Sequence, residues 1–267
     1  MPDDMRHVMD ALRASRKYGA VCDDTLARVA RWASERAASP RDSVKIAKRR
    51  LHQVFGAYFP PGLAGRADAF LAELPPRRDL AAVRRHVGRF LRSHTSTRER
   101  IPLLDSLYDD LFSITGVPTR VVDVACGLHP LEIPWMELAP TTDYVALDID
   151  CAQIRLLNAF LAHMGHRPQA ACWDVVTQVP PWEADLAFAL KCLPCLERQS
   201  PGIAVRLIRS LQARWIVASF PAHSLSGKKR RMGDTYAAWM LDHARRESWK
   251  VQELRYPQEV FFVVQRT

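Results

Sequence analysis

Three aspartates close three short apolar runs. Asp123 follows Val121-Val122, Asp148 follows Val145-Ala146-Leu147, and Asp174 follows Cys172-Trp173. In doubly wound sheets, ligands sit beyond the carboxyl ends of the strands. A carboxylate at Asp148 can accept both hydroxyls of a ribose. One at Asp174 can accept a hydrogen bond from an adenine amino group, with Val175 packed on the base. Between the first two runs lies Ala125-Cys126-Gly127, whose small residues let backbone N–H groups approach a ligand closely. Each aspartate alone is more often a turn cap than a ligand. The three in series are more specific.

A second set is cationic. His94-Thr95-Ser96-Thr97-Arg98-Glu99-Arg100 places two arginines beside a polar, cappable start. Arginine suits two-point capture of a carboxylate, although a helix cap with solvated charges is the commoner use of such a stretch. Lys228-Lys229-Arg230-Arg231 lies between Gly227 and Gly233. A second basic element carries Lys45, Lys48, Arg49 and Arg50. Four adjacent cations repel one another unless an anion neutralises them, and a polyphosphate backbone is the natural partner. The chain has 38 Lys+Arg against 29 Asp+Glu, a net charge of +9, which agrees with such a partner.

The elements that must position these groups fall into two stretches. Residues 1–93 read as helical. Asp23 or Asp24 can cap a helix with Leu26, Val29, Ala30 and Ala33 on one face. A second helix follows Ser39-Pro40, with Val44, Ala47, Leu51 and Val54 inward, and two more lie around 67–74 and 80–91. Residues 94–267 alternate β-rich runs (121–124, 144–147, 170–173, 186–190, 215–220 and a closing pair at 249–254 and 260–264) with helical stretches. That alternation predicts a doubly wound, mostly parallel α/β sheet with an antiparallel edge. Neither G-x-G-x-x-G nor a P-loop is present. The strand-end carboxylates therefore fit a methyltransferase layout better than a dehydrogenase one.

The chain opens on charged residues rather than a signal sequence, and no apolar run reaches the ~20 residues that span a bilayer. We therefore expect a cytoplasmic protein, away from membranes, with its six cysteines reduced. Cys192-Leu193-Pro194-Cys195 has redox or half-zinc spacing, but no second pair matches it. It reads as core packing, and no metal is expected.

The chain resembles the aminoglycoside-resistance 16S ribosomal RNA methyltransferases that modify N7 of guanine 1405. The stretches that carry the resemblance are Lys17-Tyr18, Cys22-x-Asp24-Thr25, Leu51-His52, Gly56-Ala57-Tyr58 and His94-x-Ser96-Thr97-Arg98-Glu99-Arg100. Further along are Asp123-x-Ala125-Cys126-Gly127-Leu128 with Pro130, Leu193-Pro194 before Leu196-Glu197-Arg198, Ser219-Phe220-Pro221 with Ser224-Leu225, and Tyr236-Ala237-Ala238-Trp239. They span nearly the whole chain, helical part included.

The resemblance implies a class I S-adenosylmethionine-dependent methyltransferase fold at 94–267. It makes 1–93 a helical extension docking on 16S rRNA in the 30S subunit, and the protein a monomer. It implies resistance to 4,6-disubstituted deoxystreptamines of the kanamycin and gentamicin type. It places the cofactor against His94, Thr95, Ser96, Arg100 (carboxylate), Ala125, Gly127, Asp148 (ribose), Asp174 and Val175 (adenine), Leu190 and Gln199. Lys191, Glu197 and Glu259 fall at positions linked to the target or the active-site lining, with Lys191 and Glu197 the expected catalytic pair. The rival readings are the same fold acting on another RNA position or a small molecule, and a non-catalytic RNA-binding relative.

Overall fold

The computed structural model describes residues 3–53, 63–92, 95–222 and 232–266, with side chains for all of these except 63, 64, 95, 96 and 232–234. The basic stretch Lys228–Arg231 and His94 therefore lie outside the described residues, as do the side chains of Thr95 and Ser96.

Helices come first: α1 (Asp3–Arg13), α2 (Asp23–Ser34), α3 (Pro40–Leu51), α4 (Leu63–Ala72), α5 (Leu80–Leu91), the short α6 (Thr95–Arg98) and α7 (Leu104–Thr115). Strands and helices then alternate: β1 (Arg120–Val124), α8 (Ile133–Met136), β2 (Asp143–Asp148), α9 (Cys151–Met164), β3 (Ala170–Cys172), β4 (Glu183–Leu190), α10 (Leu193–Glu197), α11 (Ile203–Ser210), β5 (Gln212–Pro221), α12 (Met232–Glu247), β6 (Lys250–Arg255) and β7 (Glu259–Gln265). Local chemistry sets several starts. Ser39 accepts from Asp42 N with Pro40 in the first turn, Asp79 accepts from Ala82 N, and Asp150 accepts from Ala152 N and Gln153 N. At α2 the cap position is Cys22, whose side chain does not cap a backbone N–H. The expected caps Asp23 and Asp24 lie in the first turn, where they favour the helix dipole.

The strands form one sheet in the order β3-β2-β1-β4-β5-β7-β6. β1 to β5 pair in parallel, and β7 pairs antiparallel with β5 and with β6. Side chains alternate across it. Val121, Tyr144, Leu186, Phe188 and Phe261 face one apolar layer with α5, α7 and α9, while Val122, Val145, Ala187, Ile216 and Phe262 face the other with α10 and α11.

The helical stretch is built on two cores. Met5, Val8, Leu12, Leu26, Val29, Ala30, Ala47 and Leu51 close a separate core among α1, α2 and α3. Phe70, Val83, Val87 and Leu91 of α4 and α5 instead join the layer under the sheet. Among the described residues, no helix is long and apolar enough to cross a membrane. One expectation about the cysteines fails. Cys151, at the start of α9, and Cys172, at the end of β3, form a disulfide with their Cα atoms 5.4 Å apart. Parallel pairing of β2 with β3 brings the two ends together, and linear spacing does not reveal it.

Candidate active site

The cleft lies at the carboxyl ends of β1, β2 and β4. Its walls include Ala125, Gly127, Asp148, Ile149, Trp173, Asp174, Val175, Leu190, Lys191 and Gln199, with Arg28 entering from α2 and Thr97 and Arg100 from the segment before α7. Most of the expected cofactor residues are thus brought together by the sheet.

The turn after β1 is fixed by backbone geometry. Gly127 has φ +54°, which glycine adopts without steric cost; Ala125, at φ +49°, is a non-glycine residue in the left-handed region. Cys126 N donates to Leu147 O at 2.9 Å, tying the turn to β2. Gly127 N donates to Asp148 Oδ2 at 2.9 Å, and Asp150 N donates to Asp148 Oδ1 at 3.1 Å. Asp148 is therefore held by backbone donors, Gly127 N and Asp150 N among them, with lone-pair capacity left to accept hydroxyls. Burial raises its carboxyl above the ordinary range, and the backbone N–H groups offset part of that. Its neighbour Asp150 is pushed up to about 7, by burial first and by the Asp148 charge second.

Asp174 is already engaged. Its Oδ2 accepts from Thr25 Oγ1 at 2.8 Å and from Arg28 Nε and Nη2 at 3.0 and 2.8 Å, while Oδ1 accepts from Val176 N at 2.9 Å. Arg28 Nη2 also donates to Gln199 Oε1 at 2.8 Å. Thr25 carries no site role in the sequence reading, and Arg28 is not singled out there. The signal was within reach, because Thr25 ends the stretch Cys22-x-Asp24-Thr25 and Arg28 is three residues on, along the same helix face.

Asp123 corrects an expectation. It is fully buried and lies outside the cleft lining. Its Oδ2 contacts His129 Nδ1 at 2.7 Å and accepts from Tyr144 OH at 2.9 Å. The strand alternation turns it into the layer beneath the sheet, on the side opposite Val122 and Val124.

The other end of the cleft is an ion network. Arg100 is buried, and donates through Nε and Nη2 to Glu259 at 3.2 and 2.7 Å and through Nη1 to Glu132 at 3.2 Å. The resemblance implies that it holds a ligand carboxylate; in the structure it lines the cleft and also pairs with two internal carboxylates, because a buried guanidinium needs charged partners. Burial alone would lower its pKa, but Glu132 and Glu259 more than offset that. Lys191, at φ +53°, reaches Glu99 at 2.7 Å and Glu259 at 3.2 Å. Ser219 Oγ donates to Glu259 Oε1 at 2.5 Å. Burial raises the Glu259 carboxyl, but Arg100 and Lys191 outweigh it, leaving it below the ordinary range. Tyr108 donates to Glu132 and contacts His129, joining this network to Asp123.

Three other expectations change. Glu197 is a cap: it accepts from Gly202 N at 2.7 Å and Ala204 N at 3.3 Å, satisfying the start of α11, and it does not line the cleft. Arg50 donates to Arg198 O and Gln199 O at 2.8 and 3.2 Å and lies over the Trp32 ring, so it fastens α3 to the catalytic part rather than facing outward. Lys45, Lys48 and Arg49 are exposed, with Lys45 also 3.6 Å from Asp42. Cys192 is buried in the core, as the core-packing reading expects, and both it and Cys195 also border the cleft.

This strand order, with its one-glycine turn after β1 and a carboxylate at the end of β2, defines a class I methyltransferase fold. Comparison with known proteins narrows the class. The model of the ribosomal RNA methyltransferase (FmrO) family matches residues 14–264. A 16S rRNA (guanine(1405)-N(7))-methyltransferase of Micromonospora echinospora is 35% identical over 99% of this chain and 97% of its own length. The Serratia marcescens protein of the same name is 35% identical over 86% of each chain. Among solved structures, the 16S rRNA methyltransferase RmtF in complex with S-adenosyl-L-homocysteine superposes with a TM-score of 0.86 at 30% identity, over 100% of both chains. The 16S rRNA methylase RmtB gives 0.83 at 30% identity over the same coverage. The chain belongs to the ribosomal RNA methyltransferase (FmrO) family.

Proposed function

We propose that this protein transfers a methyl group from S-adenosylmethionine to N7 of guanine 1405 in 16S rRNA of the 30S subunit, and so confers resistance to kanamycin- and gentamicin-type aminoglycosides. The observation that carries the reading is the cleft, with a ribose acceptor at one end and a buried ion network at the other, in a chain so similar to enzymes of that name along its whole length.

The residues present fit such a donor. Asp148 has acceptor capacity left for the ribose, and Ile149, Trp173, Val175 and Leu190 offer apolar walls for the base. The methionine end would meet Thr97 and the N–H groups of Arg100 that Glu132 and Glu259 leave over. When bound, S-adenosylmethionine supplies an electrophilic methyl on a cationic sulfur. The network around Arg100 and Lys191 holds four carboxylates (Asp123, Glu132, Glu259 and Glu99) against those two cations. Among these side chains, negative charge is in surplus. That surplus favours a cationic donor over its neutral product.

Guanine N7 carries a free lone pair, so no general base is needed. The protein's task is to hold N7, the methyl carbon and sulfur in line. Lys191, fixed by Glu99 and Glu259 at the cleft wall, is the group we assign to orient the target's O6 or a phosphate. The guanine must leave its helix to reach it, and the half-buried Pro194 and Pro221, backed by the core residues Leu193 and Phe220, are the residues we assign to flank it. The unit α1–α3, with Lys45, Lys48 and Arg49 exposed, is the docking part, joined by Lys228–Arg231. We take the protein as a cytoplasmic monomer.

The test is the resistance profile of a sensitive host expressing the chain. High resistance to kanamycin and gentamicin with apramycin sensitivity retained is the expected result. Apramycin resistance would move the target to a decoding-site adenine.

A further inference from the structure

The α1–α3 unit does more than lie beside the catalytic part. Its backbone pairs with the residues flanking Asp148: Cys22 N donates to Ile149 O and Cys151 N donates to Ala20 O, both at 2.8 Å, around a bridge between Val21 and Asp150. On the other side Arg50 holds Arg198 O and Gln199 O. Between these two seams, Thr25 and Arg28 direct three donors onto a single oxygen, Asp174 Oδ2, and Arg28 reaches on to Gln199. The Asp174 side chain is 2% exposed and that of Arg28 23%. Three donors on Oδ2 fix the plane of the carboxylate. Among the described residues, the other oxygen, Oδ1, accepts from Val176 N, which leaves it room for one more.

We propose that α2 forms a wall of the adenine subsite, and that Arg28 is a positioning residue that sets adenine specificity by holding Asp174 with Oδ1 turned to the exocyclic amine. The proposal rests on the reading of Asp174 as the adenine acceptor. One consequence is reciprocal coupling. Whatever holds α1–α3 against the catalytic part, a docked RNA included, raises affinity for the donor, and the bound donor raises affinity for that partner by the same factor.

The test uses the full chain and two ligands, S-adenosyl-L-homocysteine and S-inosyl-L-homocysteine, whose 6-oxo group puts an acceptor where adenine has a donor. Titration calorimetry reads both affinities. The wild type is expected to prefer the adenosyl ligand. Arg28→Met should weaken that ligand about 10-fold and leave the inosyl ligand nearly unchanged, so that the preference collapses. Arg28→Lys keeps the charge but cannot serve Asp174 and Gln199 together, and should fall between; it also stands in should Arg28→Met fail to fold. Equal weakening of both ligands would mean a merely structural role and overturn the proposal, as would an unchanged preference in both variants. Asp174→Asn separates the premise from the inference. If it leaves the preference intact, the adenine reading of Asp174 is wrong. If it abolishes the preference while the Arg28 variants keep it, only the role of Arg28 is lost.

Discussion

The two ends of the cleft are built in opposite ways. The adenosine end is short-range: Gly127, Asp148 and Asp150 are set by the strand end and bound mostly by backbone N–H groups. The other end is long-range. Glu99 and Arg100, Glu132, Lys191 and Glu259 come from four separate segments and are held by charge. Backbone donors can hold a carboxylate at modest net cost, whereas buried side-chain ions are stable only as a complete set. The first end should therefore tolerate single changes, and the second should fail when one member is removed.

The largest expected effect is at the charged end. Arg100→Met leaves Glu132 and Glu259 buried without their main cation, and should cost about 3–5 kcal/mol of stability. Denaturant unfolding measures it, and a loss near zero would mean that the network is not a unit. Lys191→Ala removes a less buried member. It should lower turnover on 30S subunits by about 10- to 100-fold, while calorimetry shows little change in affinity for S-adenosyl-L-homocysteine. Unchanged turnover removes Lys191 from the site.

The adenosine end supplies the pH test. Asp150 is pushed up to about 7 in the folded state, so the folded state holds its proton more tightly than the unfolded one. Its contribution to stability is complete below the ordinary carboxylate range and is lost as pH rises to about 7. Asp150→Asn keeps an acceptor for Ala152 N and Gln153 N but cannot ionise. Relative to wild type it should gain on the order of 1–3 kcal/mol at pH 8 and little at pH 4. Equal shifts at both would contradict the assignment. The smallest effect is at Glu197→Gln, which weakens one helix cap. It should cost about 1 kcal/mol and leave turnover unchanged, whereas a large loss of turnover would restore Glu197 to the catalytic set.

The same contrast explains what could be read from the sequence. Apolar runs with an aspartate at or near their end locate β1 and β2 to within two residues, and with them the turn and Asp148. Residue type and spacing did not say which way a strand-end aspartate turns, so Asp123 was counted with Asp148 although it faces the opposite layer. Nor could they reveal partners 146 to 159 residues away, such as Arg28 for Asp174 or Glu259 for Arg100. Residue type and spacing point to Arg100 and family resemblance to Glu259, but neither gives their pairing. Helix α7 lies in the second stretch ahead of its first strand and is not among the expected elements, although Leu104, Leu107, Tyr108 and Leu111 repeat at helical spacing.

The central claim is the site of methylation. Purified protein, S-adenosylmethionine and 30S subunits from a sensitive host should give one added methyl, mapped by mass to the 16S fragment containing guanine 1405. Borohydride and aniline should then cleave that strand there, as 7-methylguanine requires. A methyl on another nucleotide, or at 1405 without cleavage, would contradict the account.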